Sequence, residues 1–234
     1  MNKATLSLVL LSFSFSAMAG MSSFTAWGKK DINVCFAGKG TIIKVKNMPN
    51  GFANWKDQQK QYIVDVLNRE YLEERTGYRF VGFGDCEPEG KHDVIVVRKA
   101  NYSPHALTVK GSATVGYSLL APSPNYKSAR AAVLFTALGI KNDSTIIHEF
   151  GHVLGLKHEH EHPDAKAQAQ SWCSHYTNKT DRYIYNMYTS FDEDSVMNYC
   201  KMQWDSKVGL SQGDVEHIRA LYNYSSIKDK REFH

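Results

Sequence analysis

The sequence is poor in long apolar runs, in cysteine and in surplus charge, and each shortage excludes a class of protein. Beyond the first twenty residues no stretch is apolar enough to cross a bilayer as a helix, so no further membrane-spanning helix is expected. The formal net charge is only +4 over 234 residues, too small and too dispersed to point to a nucleic-acid partner. There are 4 cysteines and none forms a CxxC pair, which argues against a thiolate zinc site. No repeat or low-complexity tract appears, and 42% hydrophobic with 22% charged residues is ordinary for a globular chain. A chain of this length can bury a substantial core without depending on disulfides.

The one apolar run is N-terminal. Lys3 supplies a positive start, Leu6 to Phe15 an apolar stretch, and Ala17-Met18-Ala19 a small-x-small cleavage site. This pattern predicts a signal peptide over residues 1–19, with a retained membrane helix as the weaker alternative. A single catalytic domain is then expected over residues 20–234, secreted or periplasmic, without a stable membrane anchor and monomeric. Export also changes how the cysteines read. Proximity along the chain suggests the pairs Cys35–Cys86 and Cys173–Cys200, although other pairings and free buried thiols stay open.

The first half reads as sheet and helix. Asp31 to Ala37, Tyr78 to Phe83, Asp93 to Arg98, Ala113 to Leu119 and Ala131 to Thr136 carry strand-like composition. Helical spacing of Trp55, Tyr62, Ile63, Val66, Leu67 and Tyr71 predicts one helix over Asn54 to Thr76, stopped by Gly77. A second helix opens near Ser144. About fifty weakly periodic residues follow Gly155, and a last helix over Gly213 to Tyr222 begins after a Ser211 cap.

The chemistry is concentrated at the junction of the two halves, in Ser144 to Pro163 (STIIHEFGHVLGLKHEHEHP). His148 and His152 are four residues apart on the predicted helix, so their imidazoles leave one face a turn apart and can share a Zn²⁺. Glu149 lies beside the first ligand and is directed toward the open coordination position. Gly155 can take a positive φ, end the helix and return His158 to the same metal. Three protein ligands with room for water is the arrangement of one catalytic zinc. His160 and His162 fit the return turn less well and read as part of a solvated His/Glu-rich loop.

With these parts assembled, the chain resembles the metzincin clan of zinc endopeptidases, and within it the astacins. His158-Glu159-His160 extends the zinc motif as astacins do, and Ser195-Val196-Met197-Asn198-Tyr199 resembles their Met-turn. Leu210 to Asp214 and Ala220 to Tyr222 are similar to the closing helix that astacins share with matrixins. The resemblance spans Trp27 to Tyr224, with two departures: Asn198 stands where astacins usually carry His, and the Arg that usually follows their HEH is missing.

The resemblance implies an α+β fold with a twisted mixed sheet and two helices in the N-terminal half, and an irregular C-terminal half ending in a helix. It implies hydrolysis of internal peptide bonds in a polypeptide or protein substrate, with Glu149 as general base acting on a zinc-activated water. It places Met197 beneath the metal and gives Tyr199 the role of displaceable ligand and oxyanion partner. Ala113 to Leu119 becomes the sheet edge lining the cleft. It also implies that the new N-terminus at Gly20 can fold inward to Glu159, with a frayed tail as the equal alternative, and the short segment to Ala26 predicts competence without a further cut. Two other readings stay in view. One is a gluzincin-like peptidase with Glu193 or Glu216 as third ligand; the other is an exported zinc-binding module without catalysis.

Overall fold

The computed structural model describes residues 27–38, 54–87, 89–90, 93–100, 111–117, 126–162, 165, 191–199 and 209–231. The expected signal peptide, the segment from Gly20 to Ala26 and the Cys173–Cys200 pair lie outside these residues. Among the described residues no helix is long and apolar enough to cross a membrane.

Five strands form one mixed sheet. In chain order they are β1 (Asp31–Phe36), β2 (Arg79–Asp85), β3 (Val94–Lys99), β4 (Gly111–Ala113) and β5 (Ala129–Phe135). In space the order is β2-β1-β3-β5-β4, with every neighbouring pair parallel except β4 against β5. The short antiparallel β4 is therefore one edge and β2 the other. Alternation along β5 sends Ala131, Val133 and Phe135 to the main core.

Among the described residues the α-helices are α1 (Asp57–Glu70), α2 (Glu73–Thr76), α3 (Asp143–Val153) and α4 (Gln212–Arg231). Helix α1 turns Ile63, Val66 and Leu67 inward. One continuous core joins these to β1, β3 and β5, to Ile146, Ile147 and Phe150 of α3, and to Val196, Met197, Val215 and Ile218 from the second half. The irregular half is thus not a separate unit, because its apolar residues complete the same core. A smaller cluster around Val96, Tyr126 and Ala129 includes Cys35, whose bridge to Cys86 ties β1 to the end of β2.

Besides the last helix, expected to Tyr222 but running to Arg231, two elements differ from the sequence reading. The single helix expected over Asn54 to Thr76 is broken between α1 and α2. Tyr71 leaves the helical path, buries its ring edge-on to Phe80 and donates its hydroxyl to the Ile147 carbonyl of α3. A tertiary hydrogen bond from a buried phenol outweighs one more turn of local helix. The strand expected from Ala113 to Leu119 ends at Ala113. Thr114 still bonds Ala132, but the Gly116 amide then turns away to the His152 carbonyl at the end of α3 (2.8 Å). The edge segment is thereby tied to the helix that carries the histidines.

The Cys35–Cys86 bridge closes a 51-residue separation that holds α1, α2 and β2. Cys86→Ser should therefore lower the unfolding free energy by about 2–4 kcal/mol, measured by urea unfolding without reductant.

Candidate metal centre

Helix α3 is capped by Asn142, whose side chain accepts the Thr145 amide at 2.9 Å. Every residue from Ser144 to Val153 is buried, so the helix runs through the protein between the sheet and the second half. Its C-terminus is a Schellman turn. The Leu156 amide bonds the Gly151 carbonyl (3.0 Å), the Gly155 amide bonds that of His152 (2.8 Å), and Gly155 takes φ 104°. A side chain at position 155 would be strained in this backbone region.

That turn does more than reverse the chain. It presents the Leu156 carbonyl to His152 Nδ1 at 2.8 Å. His148 Nδ1 is held at 3.0 Å by the Val196 carbonyl, and His158 Nδ1 faces Glu161 Oε1 at 3.4 Å. Each of the three rings therefore has an acceptor at Nδ1, which fixes the proton there and leaves the Nε2 lone pair directed elsewhere. The Nε2 atoms of His152 and His158 lie 3.0 Å apart, and buried His148 Nε2 meets no hydrogen-bond partner. Two lone pairs facing at that distance repel unless a cation or a proton lies between them. Ligand nitrogens on a tetrahedral zinc stand roughly 3.3 Å apart for bonds of about 2.05 Å. The donor set His148, His152 and His158 therefore fits zinc, as the motif spacing predicts.

The Met-turn supports this cluster from below. Asp214 at the start of α4 is buried and accepts from Ser195 Oγ (2.6 Å), the Val196 amide (3.0 Å) and the Ser211 amide (3.1 Å). Ser195 Oγ in turn accepts the Met197 amide. The turn so fixed supplies the Val196 carbonyl to His148 and the Met197 carbonyl to the Glu159 amide (3.1 Å). Met197 Sδ lies under α3 where Gly151 leaves room: a Cβ there would come within 2.8 Å of the sulfur. The expected Ser211 cap holds, with Ser211 Oγ accepting the Asp214 amide at 2.9 Å.

Tyr199 covers the cluster. Its ring centroid is 4.4 Å from His160, 4.6 Å from His158 and 5.3 Å from His148. Asn198, at the position that departs from the astacin pattern, is buried and donates to the Glu193 carbonyl. The reading of His160 and His162 as a solvated loop is corrected, since both are buried, at 5% and 3% exposure. The short 3-10 turn Glu159–Glu161 folds His160 under Tyr199 and His158, and places His162 near Phe191. Glu193 and Glu216 are exposed and take no part in the histidine cluster, so the gluzincin-like reading loses its third ligand.

Burial sets the electrostatics. It drives the His148 imidazole well below its ordinary range and His152 down to about 4, with neighbouring histidines adding to the effect. His160 is likewise lowered to about 4 by burial and by His158. The same burial raises the Glu149 carboxyl to about 8. Glu159, lifted by burial to about 7, accepts the Asp192 amide at 2.9 Å; the suggested partner Gly20 is outside the described residues.

The sequence reading passed over Gly111 in β4. A Cβ on Gly111 would meet Glu149 Oε1 at 2.7 Å, so the sheet edge approaches this carboxyl closely. A glycine inside a strand was the available signal, since such a residue often marks a close approach.

Comparison with known proteins agrees with the motif. No protein-family model matches the chain. It is 31% identical over 81 residues to zinc metalloproteinase nas-3 of Caenorhabditis elegans, a match covering 33% of this chain and 28% of that protein's length. Its fold is similar to that of High choriolytic enzyme 1, a hatching enzyme zinc-protease from Oryzias latipes. That likeness has a TM-score of 0.52 at 16% identity and covers 87% of this chain and 96% of the other. The expected α+β fold is thus the observed one, and both neighbours are zinc metalloproteases of the kind the motif resembles.

The raised Glu149 gives a signed expectation for the metal-free protein. The folded state keeps a proton that the unfolded state releases above about 4.5, so this stability is full below 4.5 and lost as pH rises through about 8. With metal removed, Glu149→Gln should therefore exceed the native chain in stability at pH 9 by on the order of a few kcal/mol, the gap closing toward pH 4. Urea unfolding in chelator across this range reads it directly.

Proposed function

We propose that the chain is an exported zinc endopeptidase that hydrolyses internal peptide bonds of polypeptide substrates. The observation that carries this reading is the convergence of His148 and His152, on the helix that also bears Glu149, with a third imidazole, His158, returned by the turn after that helix. A bound zinc supplies Lewis acidity there, polarising a carbonyl and making water acidic enough to lose its proton near neutral pH.

The chain's own residues do the rest. His148, His152 and His158 hold the metal through Nε2. Glu149, as general base, accepts the proton of the attacking water at its carboxylate and delivers it to the leaving amine. A dication beside it favours the ionised carboxylate and opposes the effect of burial. Tyr199, stacked over the histidines, donates its hydroxyl to the oxygen that gains negative charge in the transition state. An extended substrate adds to the open side of β4, which carries its backbone past Glu149. This strand-wise binding suits cleavage within a chain. Removal of residues 1–19 is sufficient to release the competent domain on this reading.

The test is incubation of the chain, produced from Gly20, with a random peptide library, with and without chelator. Chelator-sensitive cleavage at internal bonds is expected. Glu149→Gln should keep zinc and lose hydrolysis by at least ~10²-fold, and Tyr199→Phe should lower kcat more than it raises KM. A zinc-loaded native chain that cleaves nothing would instead favour the non-catalytic zinc-binding module.

Gly111 offers an independent check. Gly111→Ala inserts a methyl group where Glu149 Oε1 now lies, so zinc content should persist while kcat falls by on the order of tenfold or more. Zinc analysis beside steady-state kinetics distinguishes this from loss of the metal.

A further inference from the structure

We infer that Glu161 is a positioning residue for the metal centre, the outer carboxylate that orients His158 and strengthens it as a ligand. This rests on the zinc reading above and adds a residue that the motif does not contain.

The three histidines are held in unequal ways. His148 and His152 stand on α3, and their Nδ1 atoms face backbone carbonyls fixed in turns, Val196 at 3.0 Å and Leu156 at 2.8 Å. His158 is itself extended (φ −66°, ψ 123°) and has no α-helix to fix its ring. Its Nδ1 faces a side chain, Glu161 Oε1, at 3.4 Å.

The local backbone brings that carboxyl into place. Residues Glu159–Glu161 form a single 3-10 turn, closed by the Glu161 amide on the His158 carbonyl at 3.2 Å. With three residues per turn, side chains at i and i+3 eclipse, so Glu161 stands over His158. Both side chains are sheltered, at 25% and 22% exposure. A carboxylate accepting Nδ1–H fixes the tautomer with Nε2 free and makes the ring a more basic ligand. It also places a negative charge one ring away from the dication.

The same carboxyl belongs to a second cluster of ligand-capable atoms, with His158 and His160. A second ion there would have to take His158 through Nδ1 while Nε2 serves the first, which requires an imidazolate. An ordinary hydrogen bond to Glu161 requires no such deprotonation, and the geometry points to that role.

The experiment compares the native chain with Glu161→Ala and Glu161→Gln by zinc titration against a competing chelator, counting bound equivalents. Thermal midpoints of the metal-free forms are taken in parallel. One equivalent is expected throughout, with affinity 10–100-fold weaker in Glu161→Ala, as is usual for the loss of an outer partner, and intermediate in Glu161→Gln, which keeps the acceptor oxygen without the charge. Metal-free midpoints should agree among the three. Native affinity in Glu161→Ala would overturn the assignment. So would a lowered metal-free midpoint with unchanged affinity, or a second native equivalent lost with Glu161, which would make it a ligand. A native chain that binds no zinc would reject the metal centre itself. One that binds zinc without peptidase activity would reject the catalytic reading and leave the Glu161 result standing.

Discussion

Three imidazole nitrogens pointing at one another without protons between them is an arrangement that no folded chain adopts for its own stability. His152 and His158 bring Nε2 atoms to 3.0 Å, and His148 Nε2 is buried without a partner. Such a cluster costs desolvation and lone-pair repulsion, and it persists only when the surroundings over-determine it. The surroundings do so through Nδ1. Each acceptor behind a ring is held by a different device: a Schellman turn for His152, the Met-turn for His148 and a 3-10 turn for His158.

These devices depend on one another. Asp214 is a buried carboxylate whose acid form burial favours, while hydrogen bonds from the Ser195 hydroxyl and from the Ser211 and Val196 amides favour its ionised form. By pinning the Met-turn to the start of α4, it makes the position of His148 depend on a helix more than sixty residues downstream. Trp27 works from the other end of the chain, donating Nε1 to the Val153 carbonyl at 2.8 Å where α3 runs out of its own amides. The C-terminus of the histidine-bearing helix is thus supported by residues on both sides of the sheet-forming segment.

This division explains what could be read from the sequence. Helix α3 and its ligands were legible because periodicity, a cap and a turn glycine are local signals that agreed. Of the five strands, β4 (Gly-Ser-Ala) shares only Ala113 with the strand expected there, and the other four were legible from their composition. The break at Tyr71 was not, since it is made by a hydroxyl reaching a carbonyl 76 residues away. Nor was the early end of β4, decided by the His152 carbonyl, which takes the Gly116 amide in addition to that of Gly155. His160 and His162 looked solvated because HEHEH is polar as a string; the 3-10 turn that buries them appears only when Glu159 meets the Met-turn. Gly111 and Glu161 act through close approach and eclipsing, which spacing rules for strands and α-helices do not register.

Burial acts on the two kinds of titrating group in opposite directions, and this joins the stability of the centre to its chemistry. It lowers His148 and His152 and raises Glu149 to about 8, so at neutral pH and without metal these groups carry little charge. The imidazoles are then unprotonated and ready to coordinate, while the carboxyl holds its proton. At the carboxyl the balance would be reversed by a dication held at the imidazole Nε2 atoms, because an adjacent positive charge favours the ionised form that burial opposes. The imidazoles need no change of state to receive it. One low-dielectric environment thereby keeps the imidazoles unprotonated and would make ionisation of Glu149 depend on a bound cation.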